Sequence, residues 1–585
     1  MKKIILLLFL ASIKSFNSYA QIFTNDQTYV INTEHLKFPI NNRGSIGNID
    51  VDEIISFDGK SLIFTAGFIL SGYSNGTLWV NGQFPSSRIQ DYFPGSVNSD
   101  PNNLKHVFYV VNKNDAQFGE SWQKWRDAVE LGADFYDGDK DSIYNPVDKN
   151  NNGKWDVDED MPDLMGEETI WCIYNDAMPR TDRRLFVDPQ GIEIHQTVFI
   201  NSKVPDLNDV IFFRYRVINR GTIADLMDSV YFGVWADPDI GYYADDLIGC
   251  DTLLNSGFCY NSGYDHLYGL DAPALYVSIL QGPVAYIPGK TFLDLNDNGI
   301  YDIDIDTAIS FAFNVKDKLG VDTVRGATNL NVSSFVPIYP FPVIDPAIYF
   351  YRLLMLGMPW ERIVNPCSFP YGQVIGGVDC EKVNPYFIFS GDPVGLLGWI
   401  NTVNYDQRFL LNTGPFILLK NKPVDIIVAY IATRGKESLI SVRDTKIKTG
   451  KVMLRFNNNI ISEFPEDESE APPTNEVIIG YALEQNYPNP FNSNTKIKFS
   501  IRSASLLDVY NNNYIHVTLK VYDILGNEVA VLFDKRIYGG EYEVEFDPAK
   551  LLNSSVKGHG DASAVYFYQL NTGNFVQTKK MIYLR

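Results

Sequence analysis

The tightest constraint on this chain is a run of period-two alternation between Tyr481 and Arg585. In Lys496-Ile497-Lys498-Phe499-Ser500-Ile501, apolar residues alternate strictly with polar ones. Glu541-Tyr542-Glu543-Val544-Glu545-Phe546 repeats the pattern with glutamates outside, and Val517, Leu519 and Val521 share one face of a third segment. Successive side chains of a strand point to opposite faces, so each segment buries one face and wets the other. Gly526-Asn527 and Asn571-Thr572-Gly573-Asn574 supply residues that tolerate positive φ, as hairpin turns require. A small antiparallel sandwich follows.

The same stretch carries ordered motifs. Asn486-Tyr487-Pro488-Asn489-Pro490-Phe491-Asn492 opens it, and residues 521–529 follow with Val-Tyr-Asp-Ile-Leu-Gly-Asn-Glu-Val. Gly539-Gly540-Glu541-Tyr542, Val565-Tyr566-Phe567-Tyr568-Gln569-Leu570 and Thr578-Lys579-Lys580-Met581 complete the set. In that order it resembles the type A C-terminal sorting domain of the type IX (Por) secretion system. Ala564 stands where a glycine is usual, and residues 503–514 look like an insertion. The resemblance implies recognition by the outer-membrane translocon, then removal of the domain by a sortase-like peptidase and attachment or release of the body.

The other end agrees. Lys2-Lys3, the apolar run 4–11 and Ser18-Tyr19-Ala20 have the parts of a signal peptide over 1–20, and the apolar run is too short to span a bilayer. No later segment is apolar for long enough to cross a membrane; residues 348–359 come nearest and are interrupted by Arg352. Expected localisation is extracellular or at the outer-membrane surface, reached through the periplasm. A net charge of −22 argues against nucleic acid, whose phosphates demand a basic footprint. With 35 Tyr and 37 Phe, the composition suits a mostly β chain.

The expected organisation is multidomain, built from immunoglobulin-like β-sandwich modules. A β-rich region at 21–195 precedes a second, sandwich-like one at 196–462; an acidic, proline-rich linker follows at 463–476, then the sorting domain at 477–585. Glu120 to Leu131 is the best helical segment. Of the 5 cysteines, Cys250 with Cys259 and Cys367 with Cys380 flank short loops and are paired locally on this reading, leaving Cys172 alone; buried free thiols are the alternative.

The strongest chemistry in the body is acidic. From Asp148 the chain reads Asp-Lys-Asn-Asn-Asn-Gly-Lys-Trp-Asp-Val-Asp-Glu, the pattern of a twelve-residue calcium loop. Asp148, Asn150 and Asn152 offer oxygens at positions one, three and five, Gly153 makes the turn, and Lys154 offers its carbonyl. Asp156 and Glu159 complete the shell. Upstream, Asp137, Asp139 and Asp141 begin a less regular copy in which Ser142 replaces the glycine, Ile143 stands at the carbonyl position and Asp148 falls at position twelve. Asp148 would then be claimed by two loops. A third copy uses Asp294, Asn296, Asn298, the carbonyl of Ile300, and Asp302; Ile305 stands at position twelve, so Asp304 or Asp306 must close it. The expected cofactor is structural calcium; solvated acidic turns are the bland alternative. A further acidic segment, 235–251, suggests a metal site or a binding loop; a surface loop stapled by Cys250 and Cys259 is the bland alternative.

Catalytic signals are thin. The 6 histidines form no zinc-binding pair, and His195 alternates like a strand residue. Gly72-Tyr73-Ser74-Asn75-Gly76 matches a nucleophile elbow in letters, but strand residues follow it, so a hairpin turn is the better reading. The function expected is therefore binding or surface structure, with a surface polysaccharide or protein as ligand. The alternative is a secreted polymer-degrading hydrolase, either a glycoside hydrolase or a peptidase.

Overall fold

The computed structural model describes residues 26–47, 54–83, 91–315, 321–338, 347–359, 361–457, 482–501, 515–524, 527–537, 540–548, 564–572 and 576–584. The expected signal peptide and linker lie outside them. The protein is mostly β and multidomain, built from antiparallel sandwiches. The chain divides into two compact units, the second carrying the C-terminal strands.

The body is one sandwich of two large sheets. The first has 8 strands and runs, in spatial order, Thr28–Asn32, Leu36–Asn41, Ile55–Phe57, Lys60–Ser74, Leu226–Pro238, Arg408–Leu419 and Val332–Ile338, with Thr77–Gln83 folded onto Lys60–Ser74. The second has 9 strands and runs Asp246–Asp251, Ser256–Asn261, Ala274–Gln281, Val424–Thr433, Val210–Asn219, Ile192–Ile200, Glu168–Asn175 and Phe93–Pro94, with Tyr109–Asn112 also on Glu168–Asn175. This corrects the boundary expected at 195/196. Strands from both sides of it interleave in each sheet, and Ile192–Ile200 itself crosses it.

Aromatic rings fill the space between the sheets. Phe68 of the first sheet lies 5.3 Å from Tyr215 of the second, and Phe38 lies 5.4 Å from Tyr430, centroid to centroid. Alternation along Glu168–Asn175 places Ile170, Cys172 and Tyr174 in this core, while Trp171 and Ile173 join a second, outer cluster. Both faces of the strand are covered, which is why residues 170–174 form an unbroken apolar run.

Asn75 and Gly76, at φ +51° and +76°, turn Lys60–Ser74 into Thr77–Gln83. Two positive-φ residues between paired strands are the favoured two-residue hairpin, and no elbow can form there. A helix runs Glu120–Glu130. Cys367 and Cys380 form a disulfide with Cα atoms 5.1 Å apart. The other expected pair does not form: Cys250 and Cys259, like Cys172, are buried free thiols. They sit on adjacent strands, but the register sets Cys250 opposite Gly257 and Cys259 opposite Ile248.

The C-terminal unit has a sheet of 3 strands, Ala482–Leu483, Thr495–Ile501 and Gly540–Phe546, and one of 4, Glu528–Ile537, Ile515–Tyr522, Ala564–Asn571 and Val576–Tyr583. Ile497, Phe499 and Ile501 are buried with Val517, Leu519 and Val521, while Glu543 and Glu545 are exposed. The opening motif is tied into this core. Tyr568 Oη donates to the Glu484 carbonyl at 2.7 Å and accepts from the Asn486 amide at 2.8 Å, and the Asn486 side chain donates to Thr495 Oγ1.

Candidate metal centre

The first two acidic loops sit in a cap over the outer face of the second sheet. Trp122, Trp125 and Ala128 of the helix Glu120–Glu130 pack on Tyr109, Val111, Trp171 and Ile173. Paired short strands Phe135–Tyr136 and Met161–Pro162 close the base of the double loop. Its two flanks are held by arginines of the strand Val210–Asn219: Arg214 donates to Asp134 at 3.1 Å and Asp163 at 2.8 Å, and Arg216 to Asp134 at 2.7 Å. On the helix side, Gln123 donates to the Pro146 carbonyl and Arg126 to the Tyr144 carbonyl. His195 lies beneath the cap, bonded to Glu193 and the Gly132 carbonyl; it is a packed structural histidine.

All three loops are built on one pattern. In the second loop, Asp148 accepts from the amides of Asn152 at 3.1 Å and Gly153 at 2.7 Å, and Glu159 accepts from Lys149 at 2.5 Å and Asp156 at 3.0 Å. The opening carboxylate thus holds the turn at positions five and six, and the closing carboxylate holds positions two and nine. In the third loop, Asp294 accepts from Asn298 and Gly299 at 3.2 and 2.6 Å. Asp306 accepts from Leu295 and Asp302 at 2.9 and 2.8 Å. Asp306 therefore takes the closing place, one residue beyond the twelve-residue frame, and Asp304 does not. The base here is again a short strand pair, Phe292–Leu293 with Thr307–Ala308.

The first loop repeats the pattern with a substitution the sequence concealed. Asp137 accepts from Asp141 at 3.1 Å and Ser142 at 2.9 Å. The amides at positions two and nine, Gly138 and Asn145, go to Asp160 at 3.1 and 2.7 Å. Asp160, not Asp148, closes this loop, so the expected sharing of Asp148 is corrected. Glu159 and Asp160 are adjacent and each closes a different loop. Ser142 adopts φ +64°, the conformation of Gly153 at +76° and Gly299 at +75°.

Asp137, Asp139 and Asp160 each offer an oxygen, all within 4.8 Å of one another. Lys149 sits at their edge and also donates to the Asp158 carbonyl; its hydrogen bond to Asp139, at 3.0 Å, holds the Asp139 carboxyl below its ordinary pKa. Burial raises the pKa of Asp160, with Asp139 and Asp137 adding to the effect. Asp141 lies outside that trio, its Oδ1 accepting from the Ile143 amide at 2.7 Å. In the second and third loops amides stand between the carboxylates: Asn150 and Asn152 both donate to Asp156 Oδ2 at 2.7 and 2.8 Å, and Asn296 and Asn298 both donate to Asp302 Oδ2 at 2.8 Å. The backbone carbonyls of Ile143, Lys154 and Ile300 occupy position seven of the three frames. An all-oxygen donor set of carboxylates, amides and carbonyls suits a hard cation.

No family model matches the chain. No curated protein matches it either. Among solved structures, a polysaccharide lyase aligns at a TM-score of 0.21 and 8% identity, over 96% of this chain and 46% of its own. This chain thus spans less than half of that protein's length. The domain of a biofilm-associated protein aligns at 0.15 and 7% identity, over 96% and 81% of the two chains. Likeness this faint carries nothing over to this protein.

The second group of carboxylates whose oxygens lie within 4.8 Å of one another, among the described residues, is Asp237, Asp239 and Asp406. Two of its members fall in the acidic segment 235–251; the third is distant in sequence, and no local spacing could have revealed it. No described helix is long and apolar enough to cross a membrane.

Proposed function

We propose that this protein is a cargo of type IX secretion, carried to the cell surface or medium by its C-terminal unit, with a calcium-stabilised β-sandwich body that acts in binding or surface structure. The observation that carries the reading is the C-terminal unit, where the motif residues Asn486 and Tyr568 lock the chain entry onto a sandwich with its own core. In the body, calcium would join the opening and closing carboxylates of each loop. In the first two loops it would thereby hold the cap against the outer face of the second sheet.

Expression in a bacterium with a working type IX system tests the export reading. The full chain is expected at the surface or in the medium, and a chain lacking residues 477–585 is expected to stay in the periplasm. Equal export of both overturns it. Incubating the exported body with insoluble polysaccharides and denatured protein then separates binding from hydrolysis. Pelleting without released sugars or peptides supports the binder, and product release overturns it in favour of a hydrolase.

A further inference from the structure

We propose that Asp237, Asp239 and Asp406 bind a divalent cation of the calcium or magnesium class at the strand ends of the first sheet, a site separate from the acidic loops. Asp237 is the penultimate residue of the strand Leu226–Pro238, and Asp406 precedes the strand Arg408–Leu419, which pairs with it. Asp239 is set by its own amide, which donates to the Leu62 carbonyl at 3.1 Å. No Asx loop is involved; the fold alone brings the three together.

Among the described residues, Arg408 is the cation bonded to the group. It donates from Nε to Asp237 Oδ2 at 2.9 Å and from Nη2 to Asp406 Oδ2 at 3.0 Å. Three carboxylates against one guanidinium leave two negative charges, the charge of one divalent ion. Geometry agrees: oxygens about 2.4 Å from a calcium ion stand no more than about 4.8 Å apart, and those of the three aspartates lie within 4.8 Å.

A second, independent observation is a shortage of donors around the group. The Asp237 side chain is 4% exposed, yet its Oδ1 has no hydrogen-bond partner. Asp246, fully buried, holds the Ile240 amide with Oδ2, while its Oδ1 is also unpartnered. Buried acceptors in a protein are ordinarily satisfied, and an unmet carboxylate oxygen is the most expensive kind. A cation supplies what is missing, with water completing its shell on the half-exposed side at Asp406.

Calorimetric titration of the full chain with calcium, and separately with magnesium, tests the site. Asp239→Asn and Asp406→Asn are each expected to bind one ion fewer per chain than the unmodified protein. Asp148→Asn, which touches only the second loop, serves as the separate control for the loops. Unchanged stoichiometry in Asp406→Asn, the more exposed of the two, overturns the proposal whether or not Asp239→Asn folds. Loss of an ion in Asp148→Asn alone overturns it equally while leaving the loops standing.

Discussion

Gly138 lies so close to Glu159 that a Cβ added to it would meet the Glu159 carbonyl oxygen at 2.4 Å and its amide nitrogen at 2.5 Å. Position two of the first loop thus rests on the residue that closes the second, and the neighbouring Asp160 closes the first. The two loops are one mechanical unit. Gly138→Ala is expected to force them apart, lowering stability by roughly 1–3 kcal/mol. It should also shrink the rise in melting temperature that calcium produces. Thermal unfolding with calcium and with chelator checks this; an unchanged calcium response would show that the loops act independently.

Ser142 holds a left-handed conformation that glycine occupies at the matching place in the other two loops. For a residue with a Cβ this conformation costs roughly 1 kcal/mol. Ser142→Gly should therefore stabilise the protein by about that amount in the absence of metal, read as a higher denaturation midpoint at unchanged slope.

The third loop distinguishes two neighbours sharply. Asp306 fastens the amides of Leu295 and Asp302, whereas Asp304 does neither. Asp306→Asn is expected to weaken calcium binding at this loop at least tenfold, about 1.4 kcal/mol or more, and Asp304→Asn to leave it within about twofold. Equal effects in a calcium titration would reject Asp306 as the closing residue.

Lys448, on the helix Ser438–Asn457, is buried and donates to the Ala432 carbonyl at 3.4 Å. Burial pulls its pKa from 10.5 down to about 8, against the opposing pull of Asp209 and Asp206. The unfolded chain thus holds this proton more tightly than the folded one. Stability should rise as pH increases from about 8 to 10.5 and gain nothing from this group below about 8. Lys448→Met should raise stability near neutral pH by roughly 1–3 kcal/mol and abolish that rise. Denaturant melts at pH 7 and pH 10 measure both.

Local periodicity is most informative where contacts are local. The alternation of 496–501, the turn at Asn75-Gly76 and the helix near Trp122 and Trp125 all follow from side-chain period or backbone preference within a few residues. Alternation names the face of a strand but not its neighbour, so nothing at Lys60–Ser74 announced pairing with Leu226–Pro238. The same limit hid the closing carboxylates. Asp160 lies outside its loop's twelve-residue frame, and Asp406 joins Asp237 only through strand pairing. Cys250 and Cys259 misled because loop spacing permits a bridge that the strand register forbids.

The interleaved sheets have a consequence for the order in which the molecule can be made. Arg408–Leu419 and Val424–Thr433, late in the body, lie inside the two sheets, not at their edges. Until they emerge, Leu226–Pro238 and Val210–Asn219 each lack one neighbour and present open backbone edges, which invite aggregation. A nascent chain of this kind cannot set its first half aside as finished. Both layers can be completed only once these two late strands are present.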